Sequence, residues 1–310
     1  MPKAYCMLTP RMAVQLAAPH TWVASLFPVL FGVLVSAFEG RALSMPQTVL
    51  LTGGCILLQA AVNTLNDYAD FVKGADSQAD YVEKTDSVLV YNTINPRAAL
   101  CLGILYFVLG SVFGVFACRH AGATPLYIGL IGGVTVILYS TGSLPISYLP
   151  LGELVSGFVM GGLIPLGVAA AADGGWHLDI LPYTLPFVIG IALIMLSNNG
   201  SDIEKDKRAG RKTLPVCIGR KNTVLVYRVL IVLWLILLWV LPILKLGYTG
   251  TMSGVALIYV WHTVFIHLIK APLLPEKRIR QMKAIVLANI CGNGVYIAVF
   301  AIKLVVKKYG

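Results

Sequence analysis

Long apolar stretches constrain this chain most. Nine runs are long and apolar enough to be candidates for crossing a bilayer as helices, which takes about 20 mostly apolar residues. They are residues 22–38, 47–66, 98–118, 124–142, 151–171, 181–199, 222–244, 250–269 and 284–306. Their apolar residues are continuous rather than alternating, which argues against membrane strands. The pattern predicts an all-α polytopic membrane protein, with about nine transmembrane helices in one bundle.

The composition supports this prediction. Hydrophobic residues make up 57% of the chain and charged residues only 12%, and the mean hydropathy is +0.80. The charged share is about half that of a soluble domain, which makes a soluble enzyme a poor fit. The apolar content also excludes intrinsic disorder. No separate soluble domain is visible, so residues 1–310 are predicted to form a single membrane domain.

Lysine and arginine residues predict the orientation, because they concentrate in cytoplasmic loops. With the N-terminus inside, the inner loops are residues 1–21, 67–97, 143–150, 200–221 and 270–283. The loops 200–221 and 270–283 hold most of the bases. The net charge of +10 is then mainly a topology signal, and nucleic acid is not needed as a partner. The expected partner of the chain's surface is a lipid bilayer.

The acidic residues are distributed unevenly. Nine of the fourteen lie in two short windows, residues 67–86 and 202–206. Each window begins where a predicted crossing ends, and the ends of the second and sixth crossings are separated by four crossings, which is an even number. Both windows therefore face the same side and are expected to meet. For Asp80, Glu83 and Asp86, an ordinary solvated loop face is an equally good interpretation.

Within each window, oxygen-bearing side chains recur every four residues. The pairs are Asn63 with Asp67 and Asn66 with Asp70 in the first window, and the series Asn198, Asp202 and Asp206 in the second. A spacing of four residues stacks side chains on one face of a helix. Acids at the ends of membrane helices are costly to insert, and they are functional by default.

This donor set favours a particular chemistry. Carboxylate and amide oxygens without histidine or cysteine suit a hard cation, above all Mg²⁺, which binds through a few carboxylates together with substrate phosphates. Each window also supplies bases that suit the remaining phosphate oxygens. They are Lys73 and Lys84, which follow Asp70 in the first window, and Lys207, Arg208, Arg211 and Lys212, which follow the second window. The sequence therefore predicts a diphosphate site at the mouth of a helical membrane bundle.

Taken together, these motifs resemble those of the UbiA superfamily of intramembrane prenyltransferases. The likeness rests on Asn66-Asp67-x-x-Asp70 and Asp202-x-x-x-Asp206, and it extends over residues 19–219. Residues 66–76, 139–153 and 198–214 are most similar to the branch that prenylates 1,4-dihydroxy-2-naphthoate in menaquinone synthesis. The chain departs from that pattern at His20, at Ser201 and near Val88–Leu89, where the family usually has a base.

The resemblance implies a mechanism and a set of site residues. Mg²⁺ ions would bridge a polyprenyl diphosphate to Asn66, Asp70, Asp202 and Asp206, and Asp67 would act as a base. The expected catalytic residues are Asp67, Asp70, Asp202 and Asp206, and the expected diphosphate-binding residues are Lys73, Lys207, Arg208 and Lys212. Substrate-binding residues are expected at Asn63, Asp76, Tyr139, Ser140 and Asn198. For Tyr139 and Ser140, an ordinary interfacial turn is an equally good interpretation.

The resemblance also implies the product and the location. The polyprenyl group would pass to an aromatic quinone precursor, with loss of CO₂ and diphosphate, to give demethylmenaquinone. The site would face the cytoplasm from a bacterial plasma membrane. One alternative is the same chemistry on 4-hydroxybenzoate, homogentisate, a tetrapyrrole or a naphthoate isomer. A cation transporter is the alternative from another class, but transport favours charges near the middle of the membrane.

Overall fold

The computed structural model describes residues 5–75, 77, 81, 83–85 and 87–309. Asp76, Asp80 and Asp86, which the sequence placed near the site, lie outside the described residues. The described part is helical, and its one β-type pairing is an isolated bridge between Cys6 and Ile94. The all-α prediction is therefore confirmed.

In the part of the chain that the structure describes, nine long helical segments, labelled α1 to α9, correspond to the nine apolar runs. They are α1 Val23–Phe38, α2 Met45–Val72, α3 Pro96–Cys118, α4 Thr124–Ser140, α5 Gly152–Asp173, α6 Leu181–Ser201, α7 Leu214–Leu246, α8 residues 251–269 and α9 Arg278–Tyr309. A π-helical turn interrupts α5 at Gly157–Leu163 and α8 at Trp261–Phe265. A short helix at Pro10–Leu16 precedes α1, and two others, Val88–Tyr91 and Ile203–Arg208, lie between long helices.

Not every segment meets the length and hydropathy expected of a membrane crossing. Within the described ranges, six helices qualify, or seven if the bent pair Pro10–Thr21 and Val23–Phe38 is one span. The stretch Leu214–Ile269 counts once there, although a turn at Gly247–Gly250 separates α7 from α8. The α4 helix is too short to qualify. The multi-pass helical architecture is confirmed, but the count of nine crossings is not.

Aromatic side chains join α1, α6 and α9 in the core. Phe31 on α1, Phe187 on α6, and Tyr296 and Phe300 on α9 form one cluster, with ring centroids 5.0–5.7 Å apart. Rings at such separations stabilise a core beyond the area they bury. This cluster fixes α6 against α9, and both helices carry residues of the site described below.

Polar contacts gather the loops into two groups at opposite ends of the bundle. Among the predicted inner loops, the backbone N–H of Lys212 donates to the carbonyl of Tyr148 at 2.9 Å, and Lys283 lies 2.5 Å from Glu83. At the other end, Lys245 lies 2.9 Å from Glu39. The loops that the charge pattern assigned to one side therefore contact one another.

Candidate active site

The first acidic motif occupies the last turns of α2. The Asn66 amide donates to Asp70 at 3.1 Å, as the four-residue spacing predicted. The Ser140 hydroxyl, at the end of α4, donates to the side-chain oxygen Oδ1 of Asn66 at 3.2 Å. Asp70 is 5% exposed, so its carboxylate lies within the protein rather than in the loop solvent. The motif is thus oriented by its own helix and by α4.

The second motif is divided by the end of a helix. The α6 helix ends at Ser201, and a new helix, Ile203–Arg208, carries Asp206. The expected continuous face of Asn198, Asp202 and Asp206 is therefore broken at Asp202. Asn198 and Asp202 both accept hydrogen bonds from Arg278, whereas Asp206 accepts one from Thr213.

Arg211 joins the two motifs. Its guanidinium donates to Asp70 of the first motif, and Nη1 lies 3.5 Å from Oδ1 of Asp206 of the second. Thr213 adds a hydrogen bond to Asp206 at 3.0 Å. The left-handed Gly210, with φ of 72°, turns the chain back after the short helix so that Arg211 reaches this position. The prediction that the two windows meet is confirmed by these contacts.

The surroundings of Asp206 change its ionisation. Burial raises the pKa of its carboxyl group to about 6, although the charge of Arg211 and the Thr213 hydrogen bond act in the opposite direction. The Arg211 Nε atom is buried and has no hydrogen-bond partner. Because a buried donor without a partner is costly, this nitrogen marks a place where an anionic ligand would be stabilised.

The predicted diphosphate-binding bases differ in their placement. Lys73 lies over the Tyr148 ring, with Nζ 4.4 Å from its centroid, and Arg211 stacks near the same ring at 4.8 Å. The side chains of Lys207, Arg208 and Lys212 are exposed. Arg211 was part of the basic run noted in the sequence, but not of the set predicted to bind diphosphate. Only the fold distinguishes it, through its burial between two carboxylates.

A cavity of about 280 Å³ opens beside the first motif. The predicted site residues that line it are Asn63, Asn66, Asp67, Tyr139 and Asn198. Its other walls are mostly apolar, with side chains from the N-terminal segment and from several helices, α5 and α6 among them. Asn63 is held in place by a 3.1 Å hydrogen bond to the Thr21 hydroxyl. Ser140 supports the site through Asn66 instead of lining this cavity.

Two residues outside the set of expected site residues take part in the site. Arg278, at the start of α9, donates to Asn198 at 2.6 Å and lies 2.9 Å from Asp202. Glu153, at the start of α5, is buried and accepts a 2.9 Å hydrogen bond from Asn199. Its sequence signal was a lone acid beside the third inner loop. Arg278 was one base among several in an inner loop.

The family's usual base at position 201 has no counterpart here. Ser201 is fully buried, and its hydroxyl accepts from Gln281 of α9 at 3.0 Å. Gln281 lies one turn after Arg278 on the same helix. The α6 helix packs against α9 at Ser201, and the same packing brings the Arg278 guanidinium to the neighbouring Asp202.

The residues present suit an oxygen-preferring cation in composition, because the donors are carboxylates and amides. Within the described part of the chain, no group of three or more His, Cys, Asp or Glu side chains is arranged to hold a metal ion. Asp70 and Asp206 share Arg211, and Asp202 pairs with Arg278. A cation here would therefore need water or ligand oxygens to complete its coordination.

The fold and the site define a multi-pass helical membrane protein with paired Asn/Asp motifs facing each other at one end. The chain belongs to the UbiA prenyltransferase family, whose model matches residues 25–290. The likeness seen in the motifs is thereby confirmed. An integral membrane location follows from the family and from the apolar helices.

Individual relatives are similar over most of the chain. The 1,4-dihydroxy-2-naphthoate octaprenyltransferase of Bacillus subtilis is 34% identical over 210 residues, which cover 68% of this chain and 67% of the relative. The UbiA prenyltransferase domain-containing protein 1 of Homo sapiens is 30% identical over 223 residues, covering 69% and 63%. The chain thus spans about two thirds of the length of these curated relatives.

Solved structures show the same fold. A UbiA homolog from Archaeoglobus fulgidus superimposes with a TM-score of 0.65 at 19% identity, covering 95% of this chain and 99% of the homolog. A structure of such a homolog bound to GPP and Mg²⁺ gives a TM-score of 0.62 at 17% identity, covering 93% and 99%. At this identity, the likeness establishes the architecture alone.

Proposed function

We propose that this protein transfers a polyprenyl group from an isoprenoid diphosphate to an aromatic quinone precursor, 1,4-dihydroxy-2-naphthoate. The observation that carries the proposal is the Arg211 guanidinium between Asp70 and Asp206, which brings both acidic motifs to one site beside a cavity. The Bacillus subtilis relative, named for this acceptor, supports the choice of substrate. The products would be the hydroquinone demethylmenaquinol, CO₂ and diphosphate, because the transfer involves no oxidant.

Asn66, Asp70, Asp202 and Asp206 would hold Mg²⁺. When bound, Mg²⁺ neutralises charge on the departing diphosphate, which favours ionisation of the allylic C–O bond. A family homolog has been solved with GPP and Mg²⁺, which supports this assignment. Arg211 contacts both motifs, and Lys73 lies over the Tyr148 ring beside Arg211, so both would bind diphosphate oxygens. Lys207, Arg208 and Lys212 are exposed. Their positive charges would attract the negatively charged diphosphate toward the site.

The cavity would hold the acceptor ring. The electron pair of the allylic C–O bond leaves with the diphosphate, and the ring carbon that bears the carboxylate forms the new C–C bond. Loss of CO₂ then returns an electron pair to the ring. Asp67, which lines the cavity, would accept the proton of a ring hydroxyl and return it to that oxygen once CO₂ has left. Asn63 and Tyr139 would orient the ring. The apolar walls exclude water, which would otherwise trap the cation as an alcohol.

The charge pattern supports a location and an orientation. The base-rich loops 200–221 and 270–283 lie at the end that carries the site, as Arg211 and Arg278 show by contacting its acids. Because such loops remain on the cytoplasmic side, we infer a site that faces the cytoplasm of a bacterial plasma membrane. The polyprenyl tail would extend between helices toward lipid.

A direct test uses the purified protein in lipid nanodiscs, with a polyprenyl diphosphate, Mg²⁺ and a panel of aromatic acceptors. Mass spectrometry is expected to find prenylated, decarboxylated naphthoate, together with released diphosphate. Asp70→Ala and Asp202→Ala are expected to abolish product, and so is removal of Mg²⁺ with a chelator. Asp179→Ala is the matched control, because Asp179 is exposed in the loop before α6.

Each outcome has a defined meaning. Product with another acceptor only would replace naphthoate by that acceptor within the same chemistry. Cation movement across a sealed membrane without diphosphate release would indicate a transporter instead. Wild-type product formation by either aspartate variant would contradict the assignment of the metal ligands.

A further inference from the structure

We propose that Arg278 is a substrate-binding residue that binds a negatively charged oxygen group, and that this group replaces Asp202 as the partner of Arg278 when Asp202 binds a metal ion. This inference rests on the proposed function, because it names a further residue of the same site. It begins from the contacts of the guanidinium. Nε lies 2.9 Å from Asp202, and Nη2 donates to Asn198 at 2.6 Å.

The location of Arg278 connects two cavities. It lines the central cavity of about 280 Å³ and also a second cavity of about 430 Å³ between the N-terminal segment and α9. Gln15, His20 and Met282 are shared by the two walls in the same way. The second cavity is otherwise lined mainly by apolar residues of α9, with the pair of Lys283 and Glu83 in its wall. A ligand in either cavity therefore meets the Arg278 side chain.

The charge of the central cavity makes this position significant. Among the described residues that line it, Arg278 is the one lysine or arginine, while Asp67 contributes a carboxylate. Lys73 and Arg211 lie against the Tyr148 ring and do not line this cavity. A negatively charged substrate group in the cavity thus has one permanent cation within reach, and that cation is Arg278.

The pairing with Asp202 explains how the guanidinium would become available. The Arg278 side chain is 13% exposed and that of Asp202 is 11% exposed, so both charges are largely removed from water. If Asp202 gives its oxygens to a divalent cation, Arg278 loses its counterion. A buried charge without a partner is strongly unfavourable, so binding of a new anion is favoured at that moment. Metal binding and anion binding would thereby be coupled.

The geometry of a guanidinium limits the class of ligand. Its planar fork of donors matches carboxylate and phosphate oxygens in two-point contacts, which a lysine ammonium does not reproduce. In the proposed reaction, such a group is supplied by the carboxylate of the acceptor or by the diphosphate of the donor. Both present oxyanions to the same fork, and a binding experiment distinguishes them.

The experiment measures ligand binding by calorimetry in nanodiscs, without turnover. The probes are 1,4-dihydroxy-2-naphthoate, 1,4-dihydroxynaphthalene, which has the same ring without a carboxylate, and inorganic diphosphate with Mg²⁺. The variants are Arg278→Ala and Arg278→Lys, with Arg280→Ala as the control, because Arg280 is exposed two residues later on the same helix. Arg278→Gln retains a donor for Asn198 and serves if the alanine variant does not fold.

We expect Arg278→Ala to weaken one of the two oxyanion probes at least tenfold, which corresponds to about 1.4 kcal/mol. Arg278→Lys is expected to restore only part of that loss, and Arg280→Ala to match the wild type. Weaker binding of naphthoate alone identifies the carboxylate as the ligand, and weaker binding of diphosphate alone identifies the diphosphate. In both cases, binding of 1,4-dihydroxynaphthalene stays at the wild-type level.

Two results would overturn the proposal: unchanged binding of both oxyanions to a folded Arg278 variant, or an equal loss for all three probes. The second result would mean that Arg278 only supports the structure. Failure of the proposed function gives a different result, seen in the wild-type protein itself: it would not bind naphthoate if the acceptor is another compound, and it would bind neither oxyanion probe if it is no prenyltransferase.

Discussion

Arg211 donates to Asp70, a residue 141 positions earlier in the chain, and the same guanidinium lies 3.5 Å from Asp206. One cation thus holds together the carboxylates of two motifs that arise from different helices. Two such carboxylates would otherwise repel each other in a buried setting. The position of Arg211 therefore makes the site possible in the absence of a bound metal ion.

Replacing Arg211 is expected to damage both stability and activity. Arg211→Ala leaves two buried carboxylates without their shared partner, and breaking a buried ion pair from one side costs about 3 kcal/mol or more. We expect a lower melting temperature and at least a hundredfold lower rate of prenyl transfer. Lys221→Ala is the control, since Lys221 is exposed at the start of α7. A wild-type rate in folded Arg211→Ala would refute the assignment.

Glu39 is expected to make stability depend on pH at the opposite end of the bundle. Burial alone would raise the pKa of Glu39, but hydrogen bonds and charges from Lys245 and Arg41 outweigh it and lower the pKa. The pKa of Glu39 is near 4.5 in the unfolded chain and lower in the folded protein. The carboxylate therefore stabilises the fold at pH values above 4.5, and this contribution is lost as the pH falls through the folded-state pKa.

The corresponding measurement is thermal unfolding of Glu39→Gln at several pH values. At pH about 7 the variant is expected to lose about 1 kcal/mol of stability, as for a partly exposed ion pair. The difference from the wild type is expected to shrink below the unfolded pKa, where the wild-type carboxyl is also becoming neutral. Glu276→Gln, at an exposed position, is expected to show no such trend. A loss that is constant with pH would show that the charge of Glu39 is not responsible.

Two glycines in membrane helices are expected to differ in their tolerance of a methyl group. A Cβ atom at Gly161 on α5 would lie 2.3 Å from the backbone nitrogen of Val188 on α6. A Cβ atom at Gly132 on α4 would meet nothing within 4 Å. Gly161→Ala is therefore expected to cost about 1–3 kcal/mol through overpacking, whereas Gly132→Ala is expected to be neutral or slightly stabilising.

Comparing the two glycine variants by thermal unfolding in the same detergent tests the contact directly. The chemical change is identical, so helix propensity and side-chain hydrophobicity do not explain a difference. Equal stabilities for Gly161→Ala and Gly132→Ala would show that α5 and α6 are not in close backbone contact.

Glu153 is expected to stabilise the fold through its hydrogen bond with Asn199. Its carboxylate accepts the Asn199 amide at 2.9 Å, next to Asn198 of the second motif. Glu153→Gln retains an oxygen that accepts this bond, so it is expected to keep most of the stability. Glu153→Ala leaves a buried amide without its partner, which costs about 1–3 kcal/mol. Thermal unfolding of both variants checks this order, and a more stable alanine variant would contradict it.

The sequence by itself determined the helical membrane architecture and the chemical character of the site. Apolar runs of bilayer length leave few alternatives to helices, because backbone groups in lipid must be hydrogen-bonded internally. The spacing of Asn66 and Asp70 determined that they share a helical face, since this depends only on the period of the helix. The even number of predicted crossings between the two motifs indicated that they lie on the same side.

Only the tertiary structure decided which bases belong to the site. Lys207, Arg208, Arg211 and Lys212 look equivalent in the sequence, but the turn at Gly210 buries Arg211 and leaves the others exposed. Arg278 lies 76 residues from Asp202, and its partner follows from the packing of α9 against α6. Hydropathy and helical periodicity are local properties, whereas the pairing of a buried charge depends on how distant helices pack.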